Sequence, residues 1–350
     1  MTPRIVLAPM EGVIDAAMRR RLTAIGGYCR AVTEFVRVTD VRLPERVFLR
    51  LCPELEAAGL TPSGVPVYVQ LLGSDPAAMA ANARRVVDMG APGVDLNFGC
   101  PVKTVNNSMG GSILLRKPER VRELVDAVVQ VVAGDAPVTV KIRLGHESPA
   151  LFESVVAGVR AAGADELAIH ARTRADGYRP PAHWHLVACV MSEPFLDTTF
   201  INGEIWTPED ATRALASSGC RHLMLGRGAL AAPDLALRVH AGGALPAMQW
   251  EAVKRHVREQ FHQSDSGSPR HVGNRTKQWL AYLKRHYPEA AELFSRIRTL
   301  HDIASIDAAF DVPAGVSSDA PAARAADADL NAPTNVTRNV AQGMQPSAAS

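Results

Sequence analysis

Eight short apolar, β-branched runs recur along the chain, each followed by a loop and then by a segment with helical spacing. They cover residues 5–10, 31–36, 65–72, 93–97, 138–144, 166–171, 198–202 and 222–226. Between them, Val121, Leu124, Val125, Val128 and Val132 recur at helical spacing behind Pro118, and residues 151–162 run helically up to Gly163. Eight such alternations predict an α/β fold, a parallel sheet closed as a (β/α)8 TIM barrel. An open doubly wound sheet is the rival topology.

The barrel pattern fills residues 1–241. Residues 247–310 then read as helical throughout and form a small separate all-helical domain. Residues 247–300 hold ten Lys/Arg against five Asp/Glu, with four His. That excess is either a solvated face or a phosphate-contacting surface. From 311 to 350, Ala, Pro, Ser, Asn and Asp dominate and large apolar residues almost vanish, so a disordered tail is expected. A net charge of +2 over 350 residues does not by itself announce a nucleic-acid binder. No apolar run reaches the length of a membrane span, and the first residues are too briefly apolar for a signal peptide. Five cysteines, odd in number and without a C-x-x-C pair, fit no zinc pattern; they point to reduced thiols, a cytoplasmic setting and no metal.

In a barrel, functional groups gather at the C-terminal ends of the strands. On the run 138–144, Thr139, Lys141 and Arg143 share one face; on 167–172, Ala168, His170 and Arg172 do; on 67–71, Tyr68 and Gln70 do. Gln70, Lys141 and His170 are thus expected to point into one mouth. The last two runs end in Asn202-Gly203-Glu204 and Gly226-Arg227-Gly228, where glycines let backbone N–H groups approach an anion. Residues 226–231 fit a loose G-x-G-x-x-A pattern. They close the strand series instead of opening a βαβ unit, which favours a single-phosphate site over a dinucleotide site. The segment Val94-Asp95-Leu96-Asn97-Phe98-Gly99-Cys100-Pro101 follows the fourth run as an active-site loop. Its cysteine is a nucleophile, a general acid or filler; a thiol with an ordinary pKa near ~8.5 is mostly protonated at neutral pH and suits the acid role.

Taken together, Ala8-Pro9-Met10-Glu11-Gly12, Val69-Gln70-Leu71, Leu96-Asn97-Phe98-Gly99-Cys100-Pro101, Val140-Lys141-Ile142-Arg143, Ile169-His170-Ala171-Arg172-Thr173, Asn202-Gly203-Glu204 and Gly226-Arg227-Gly228 resemble the signature set of the tRNA-dihydrouridine synthases. The resemblance spans roughly residues 4–305, in the family's order. Thr33-Glu34-Phe35-Val36-Arg37-Val38, Asn202-Gly203-Glu204-Ile205-Trp206 and Lys277-Gln278-Trp279-Leu280-Ala281-Tyr282-Leu283 are similar to the tRNA-dihydrouridine(16) synthase subfamily. Phe98, Val102 and the segment 179–200 depart from the family pattern.

The resemblance implies flavin-dependent reduction of the C5–C6 bond of a D-loop uridine, U16, in tRNA. NADPH would reduce a tightly bound FMN, hydride would pass from flavin N5 to C6, and Cys100 would protonate C5. FMN contacts would come from Pro9, Met10, Glu11, Gln70, Lys141, His170, Asn202, Gly203, Glu204, Gly226 and Arg227. Lys141 would neutralise the reduced ring and His170 would hydrogen-bond it. Arg37, Asn97, Tyr178, Arg275, Lys277, Tyr282 and Arg298 would contact or orient tRNA, a ligand whose size suits a monomer. The alternatives are an FMN-dependent enzyme of free pyrimidines, like the dihydroorotate or dihydropyrimidine dehydrogenases, and a non-catalytic RNA-binding barrel.

Overall fold

The computed structural model describes residues 2–107, 109–193, 195–264, 271–313 and 315. Its strands are β1 (Ile5–Leu7), β2 (Arg30–Val32), β3 (Val36–Arg37), β4 (Val67–Leu72), β5 (Val94–Phe98), β6 (Val138–Gly145), β7 (Glu166–Thr173), β8 (Thr199–Asn202) and β9 (His222–Leu225). All their ladder pairings are parallel. Strand β1 pairs with both β2 and β9, and β2 pairs with β4, so eight strands close on themselves as a TIM barrel. The pairing of Val6 with Met224 across that seam excludes the open sheet.

The expected strand at 31–36 is divided into β2 and β3. Thr33 ends the first piece by turning its hydroxyl into the ladder, where Oγ1 accepts from the Gln70 backbone N–H at 2.9 Å. Strand β3 then pairs with the mouth end of β4, Val36 opposite Leu71 and Arg37 opposite Leu72, which carries Arg37 to the rim.

Around the barrel run α1 (Ala16–Ile25), α2 (Glu45–Leu51), α3 (Pro76–Asp88), α4 (Lys103–Asn107), α5 (Pro118–Val132), α6 (Phe152–Ala161), α7 (Pro208–Ser218), α8 (Arg227–Ala231) and α9 (Leu235–His240). Helix α5 has Pro118 at its first turn and fully buries Val121, Leu124, Val125, Val128 and Val132. Each such side chain contributes about 1.5–3 kcal/mol of transfer free energy. Between β7 and β8 the described residues form no α-helix, only the 3-10 turns Trp184–Val190 and Phe195–Asp197.

The C-terminal unit comprises α10 (Trp250–Ser264), α11 (Asn274–Leu283), α12 (Pro288–Ile297) and α13 (Ile303–Ala309). It is pinned to the barrel by Trp279, buried, whose Nε1 donates to the Leu230 carbonyl at 3.0 Å, and by the pair Arg21–Glu259 at 2.8 Å. Part of its cationic excess is consumed internally. Arg258 pairs with Asp307 and Asp311 at 2.8 and 2.7 Å, and Arg296 donates to the carbonyls of Val312 and Pro313 at 3.0 and 2.9 Å. Residues 311–313 therefore lie against the helical unit. The rest of the expected tail, apart from Gly315, lies outside the described residues.

Candidate active site at the barrel mouth

Strand register assembles the site. Gln70 lies opposite Asp95, and Asp95 opposite Thr139. Asn97 lies opposite Lys141, Arg143 opposite His170, and His170 opposite Asn202. Residues two apart on a strand face the same way, so these side chains share the barrel interior near its C-terminal end.

Lys141 is almost fully buried, and among the described residues the hydrogen-bond partner of its Nζ is Asn202 Oδ1 at 3.3 Å. Burial, followed by the charge of Arg143, lowers its pKa to about 8. The Asn202 amide is set by its own donation to the Met224 carbonyl at 2.8 Å. His170 is buried, and its Nε2 stands 3.2 Å from Arg172 NH1. A guanidinium only donates, so Nε2 accepts and the ring is neutral with its proton on Nδ1. Burial first, and then Arg143, Lys141, Arg172 and Arg227, hold the His170 pKa well below its ordinary value.

Cys100 sits in a small apolar nest with Leu72, Val105, Phe35 and Val102. Its N–H donates to Asn97 Oδ1 at 3.0 Å; its carbonyl accepts from Asn106 Nδ2 at 3.0 Å and from the Ser112 N–H at 3.1 Å. Burial is the main cause that pushes the thiol up to about 11. The group is therefore a proton carrier at neutral pH, not a thiolate nucleophile.

The glycines expected to admit an anion have sharper roles. Gly203 has φ +111, and a Cβ there would stand 2.8 Å from His170 Cδ2. A Cβ on Gly226 would press on Met10 Sδ at 3.2 Å, and one on Gly228 would strike the Ile205 carbonyl oxygen at 2.0 Å. Gly228 thus serves packing, while Gly203 and Gly226 keep the mouth open. Glu204 forms an ion pair with Arg172 and accepts from Trp206 Nε1 at 2.8 Å. Arg227 lies over the rings of Tyr178 and Trp206, each 5.1 Å from the centroid. Pro9 and Met10 line the loop after β1 as partly buried residues, and Glu11 is exposed beside them. Gln70 is fully buried, its amide engaged with Asp95 and Asn97.

The residues expected to meet RNA divide in two. Asn97 and Tyr178 are in the mouth, Tyr178 with its ring centroid 5.9 Å from that of His170, and Tyr282 is buried with a hydroxyl that has no hydrogen-bond partner among the described residues. Arg37 and Arg298 are exposed. Arg275 instead bonds the Gly12 carbonyl and pairs with Asp15 at 3.3 Å, tying α11 to the loop after β1. Lys277 Nζ donates to the Leu300 carbonyl at 2.7 Å beyond the end of α12. Sequence reasoning assigned no site role to Arg143, which is buried. It holds the loop that carries Cys100 and the β7 loop together by donating to the carbonyls of Gly99 at 2.8 Å, Thr173 at 3.0 Å and Gly177 at 2.8 Å. Its place on the polar face of its strand was the available signal. Arg172 and Trp206 were also passed over.

A family model described as dihydrouridine synthase matches residues 6–309. The chain belongs to the dihydrouridine synthase family. Two relatives bear the name tRNA-dihydrouridine(16) synthase. That of Shewanella oneidensis is 47% identical over 295 residues, 84% of this chain and 93% of its own length. That of Pseudomonas putida is 45% identical over 317 residues, covering 89% and 98%. Among solved structures, a 2-naphthoyl-CoA reductase complex matches 68% of this chain and 50% of that one, with TM-score 0.52 and 15% identity. The histamine dehydrogenase from Rhizobium sp. 4-9 matches 69% and 46%, with TM-score 0.52 and 16% identity. At that identity the likeness concerns the barrel fold alone. Membership in the dihydrouridine synthases makes the chain an enzyme and sets aside the non-catalytic and free-pyrimidine readings.

Proposed function

We propose that this dihydrouridine synthase reduces uridine 16 in the D-loop of tRNA to 5,6-dihydrouridine, with FMN as its resident cofactor and NADPH as reductant. The observation that carries the chemistry is a buried, protonated thiol, Cys100, at the same barrel mouth as a buried ammonium, Lys141. The relatives' names support the tRNA substrate and its position.

The residues fit a flavin mononucleotide. Lys141, Arg143, Arg172 and Arg227 bring cationic groups around a neutral His170, and the Lys141 ammonium has a single amide oxygen as its hydrogen-bond partner among the described residues. A buried ammonium so placed favours an anionic acceptor. Pro9, Met10, Glu11, Gln70, Lys141, His170, Asn202, Gly203, Glu204, Gly226 and Arg227 would hold the cofactor; Gln70 would do so from beneath, because its amide is already bonded. FMN, when bound, supplies the hydride equivalent that adds to C6 of the uracil. Lys141 would offset negative charge on the reduced cofactor. Cys100 holds the proton that C5 receives, and its apolar nest keeps that proton on sulfur until the base arrives. The thiolate left behind recovers a proton from solvent, so each turnover takes one hydride equivalent and one proton. Arg37, Tyr178, Arg275, Lys277, Tyr282 and Arg298 would seat the RNA, with Asn97 at the reacting base; the target uridine must leave its stack to reach the mouth. The five free cysteines suit a cytoplasmic protein.

The test is a map of dihydrouridine in tRNA from cells lacking the protein, with flavin content measured on the purified enzyme. Loss at position 16 alone, with FMN released on denaturation, is expected. Loss at another position overturns the choice of uridine, and a flavin-free active enzyme overturns the cofactor.

A further inference from the structure

The fully buried layer below the mouth contains a hydrogen-bond chain whose direction is forced at one end. Asp95 is 1% exposed. Its Oδ2 accepts from Gln70 Nε2 at 2.6 Å, and its Oδ1 from Thr139 Oγ1 at 2.5 Å. Burial raises the Asp95 pKa, while the hydrogen bonds from Gln70 and Thr139 and the charges of Arg30 and Lys141 act to lower it. As the carboxylate, it has no hydrogen to give, so Gln70 turns its NH2 toward Asp95 and its carbonyl oxygen away. That oxygen accepts from Asn97 Nδ2 at 2.7 Å. With its NH2 so committed, Asn97 can only present Oδ1 to the loop, where it accepts from the N–H groups of Gly99 at 2.9 Å and Cys100 at 3.0 Å. Each amide passes the polarity of one neighbour on to the next.

We propose that Asp95 is a positioning residue: through the relay Asp95–Gln70–Asn97 it fixes the polarity of the Asn97 amide and so the backbone that carries Cys100. The functional consequence rests on the reading of Cys100 as the proton donor. Asp95 touches neither the reacting base nor the thiol. A random orientation of either amide would leave the Gly99 and Cys100 N–H groups facing another N–H group, and the loop would lose its register. The loop's other anchors, Asn106 and Ser112 on the Cys100 carbonyl and Arg143 on the Gly99 carbonyl, bind only oxygens. Among the described residues, Asn97 Oδ1 is the acceptor for both N–H groups.

The relay predicts that polarity, not side-chain shape, matters at both ends. Asn97→Asp places carboxylates on both sides of the single Gln70 amide, and one of them must face its oxygen. Hydrogen exchange in a peptide spanning 96–102 should then quicken, alkylation of Cys100 by iodoacetamide should change rate, and kcat on unmodified tRNA should fall about tenfold or more. The swap Asp95→Asn with Asn97→Asp restores a consistent chain of reversed direction, with Gln70 turned over to donate to one carboxylate oxygen of residue 97 and the other oxygen still facing the loop N–H groups. It should recover most of the exchange protection, the readout that does not depend on Asn97 at the reacting base. Recovery under reversed polarity is a result that mere packing does not produce. The proposal is overturned if Asn97→Asp matches wild type in exchange and kcat, or if the swap is no better than Asn97→Asp alone. Should Asn97→Asp not fold, Asp95→Leu against Asp95→Asn decides. The amide substitution keeps an oxygen toward Gln70 and turns its hydrogens to Thr139 Oγ1, so only Asp95→Leu should quicken exchange; equal exchange in the two sinks the relay. If instead Cys100→Ala retains full activity, the proton-donor reading falls, while the exchange data still report on the relay.

Discussion

Burial moves two groups of the proposed site in opposite directions, and only one shift favours the form its proposed role needs. It raises Cys100 to about 11 and lowers Lys141 to about 8. For Cys100 the useful form is the acid, present at every pH below about 11, so its titration should not limit activity in the physiological range. For Lys141 the useful form is the ammonium, which is lost as pH rises through about 8. FMN affinity of the apoenzyme should therefore fall across that pH, and Lys141→Met should remove this dependence; a titration of apoenzyme with FMN at several pH values measures it. Cys100→Ala should keep FMN and tRNA binding and lower single-turnover formation of dihydrouridine by roughly 100- to 10,000-fold. Activity near wild type would assign the proton to another donor. Cys100, Lys141 and His170 were legible in the sequence because each lies in a motif or on the polar face of a strand. The neutrality of His170 was not, because Arg143, Arg172 and Arg227 meet it only in three dimensions.

Among the elements, those with a strict period were read most closely. Helix α5 and the long strand β6 follow their apolar patterns nearly residue for residue. The division between β2 and β3 was not visible, since a side-chain hydroxyl replaces a backbone partner there. The helix expected between β7 and β8 is replaced by 3-10 turns, in a segment that opens with Pro180-Pro181. The loop after β8 makes the clearest prediction at this scale. Gly203→Ala meets both a left-handed backbone and the His170 ring. It should lower stability by about 1–3 kcal/mol in urea denaturation. It should also reduce bound FMN, because His170 is displaced.

Over the whole molecule, the basic helical unit was predicted from a count of charges, and the fold divides that count. Arg258 and Arg296 are committed to carboxylates or carbonyls within the unit, and Arg275 to the loop after β1. Arg37 and Arg298 are exposed at separate places on the chain. Replacement of either by Ala should weaken tRNA binding. It should also flatten the dependence of affinity on log salt by about one unit for each phosphate no longer neutralised, with FMN content unchanged. Filter binding over a range of salt concentrations reads this directly. Arg258→Ala should act otherwise, lowering the denaturation midpoint while leaving the salt slope intact.

By itself the sequence determined that eight strand–helix units alternate along this chain, that a cysteine loop follows the fourth strand run, and that polar groups line one face of several strands; closure of the sheet came from the pairing of its first and last strands. The first three are properties of period and order, which a linear chain carries in full. Only the tertiary structure decided the states and duties of those groups. Protonation depends on burial and on charges distant in sequence, and the direction of an amide depends on its partner's partner. Whether an arginine is free for phosphate depends on which carboxylates and carbonyls the fold brings to it. The loop around Cys100 shows the division: its residues are consecutive, but its N–H groups are aimed by Asp95 and Gln70 on neighbouring strands.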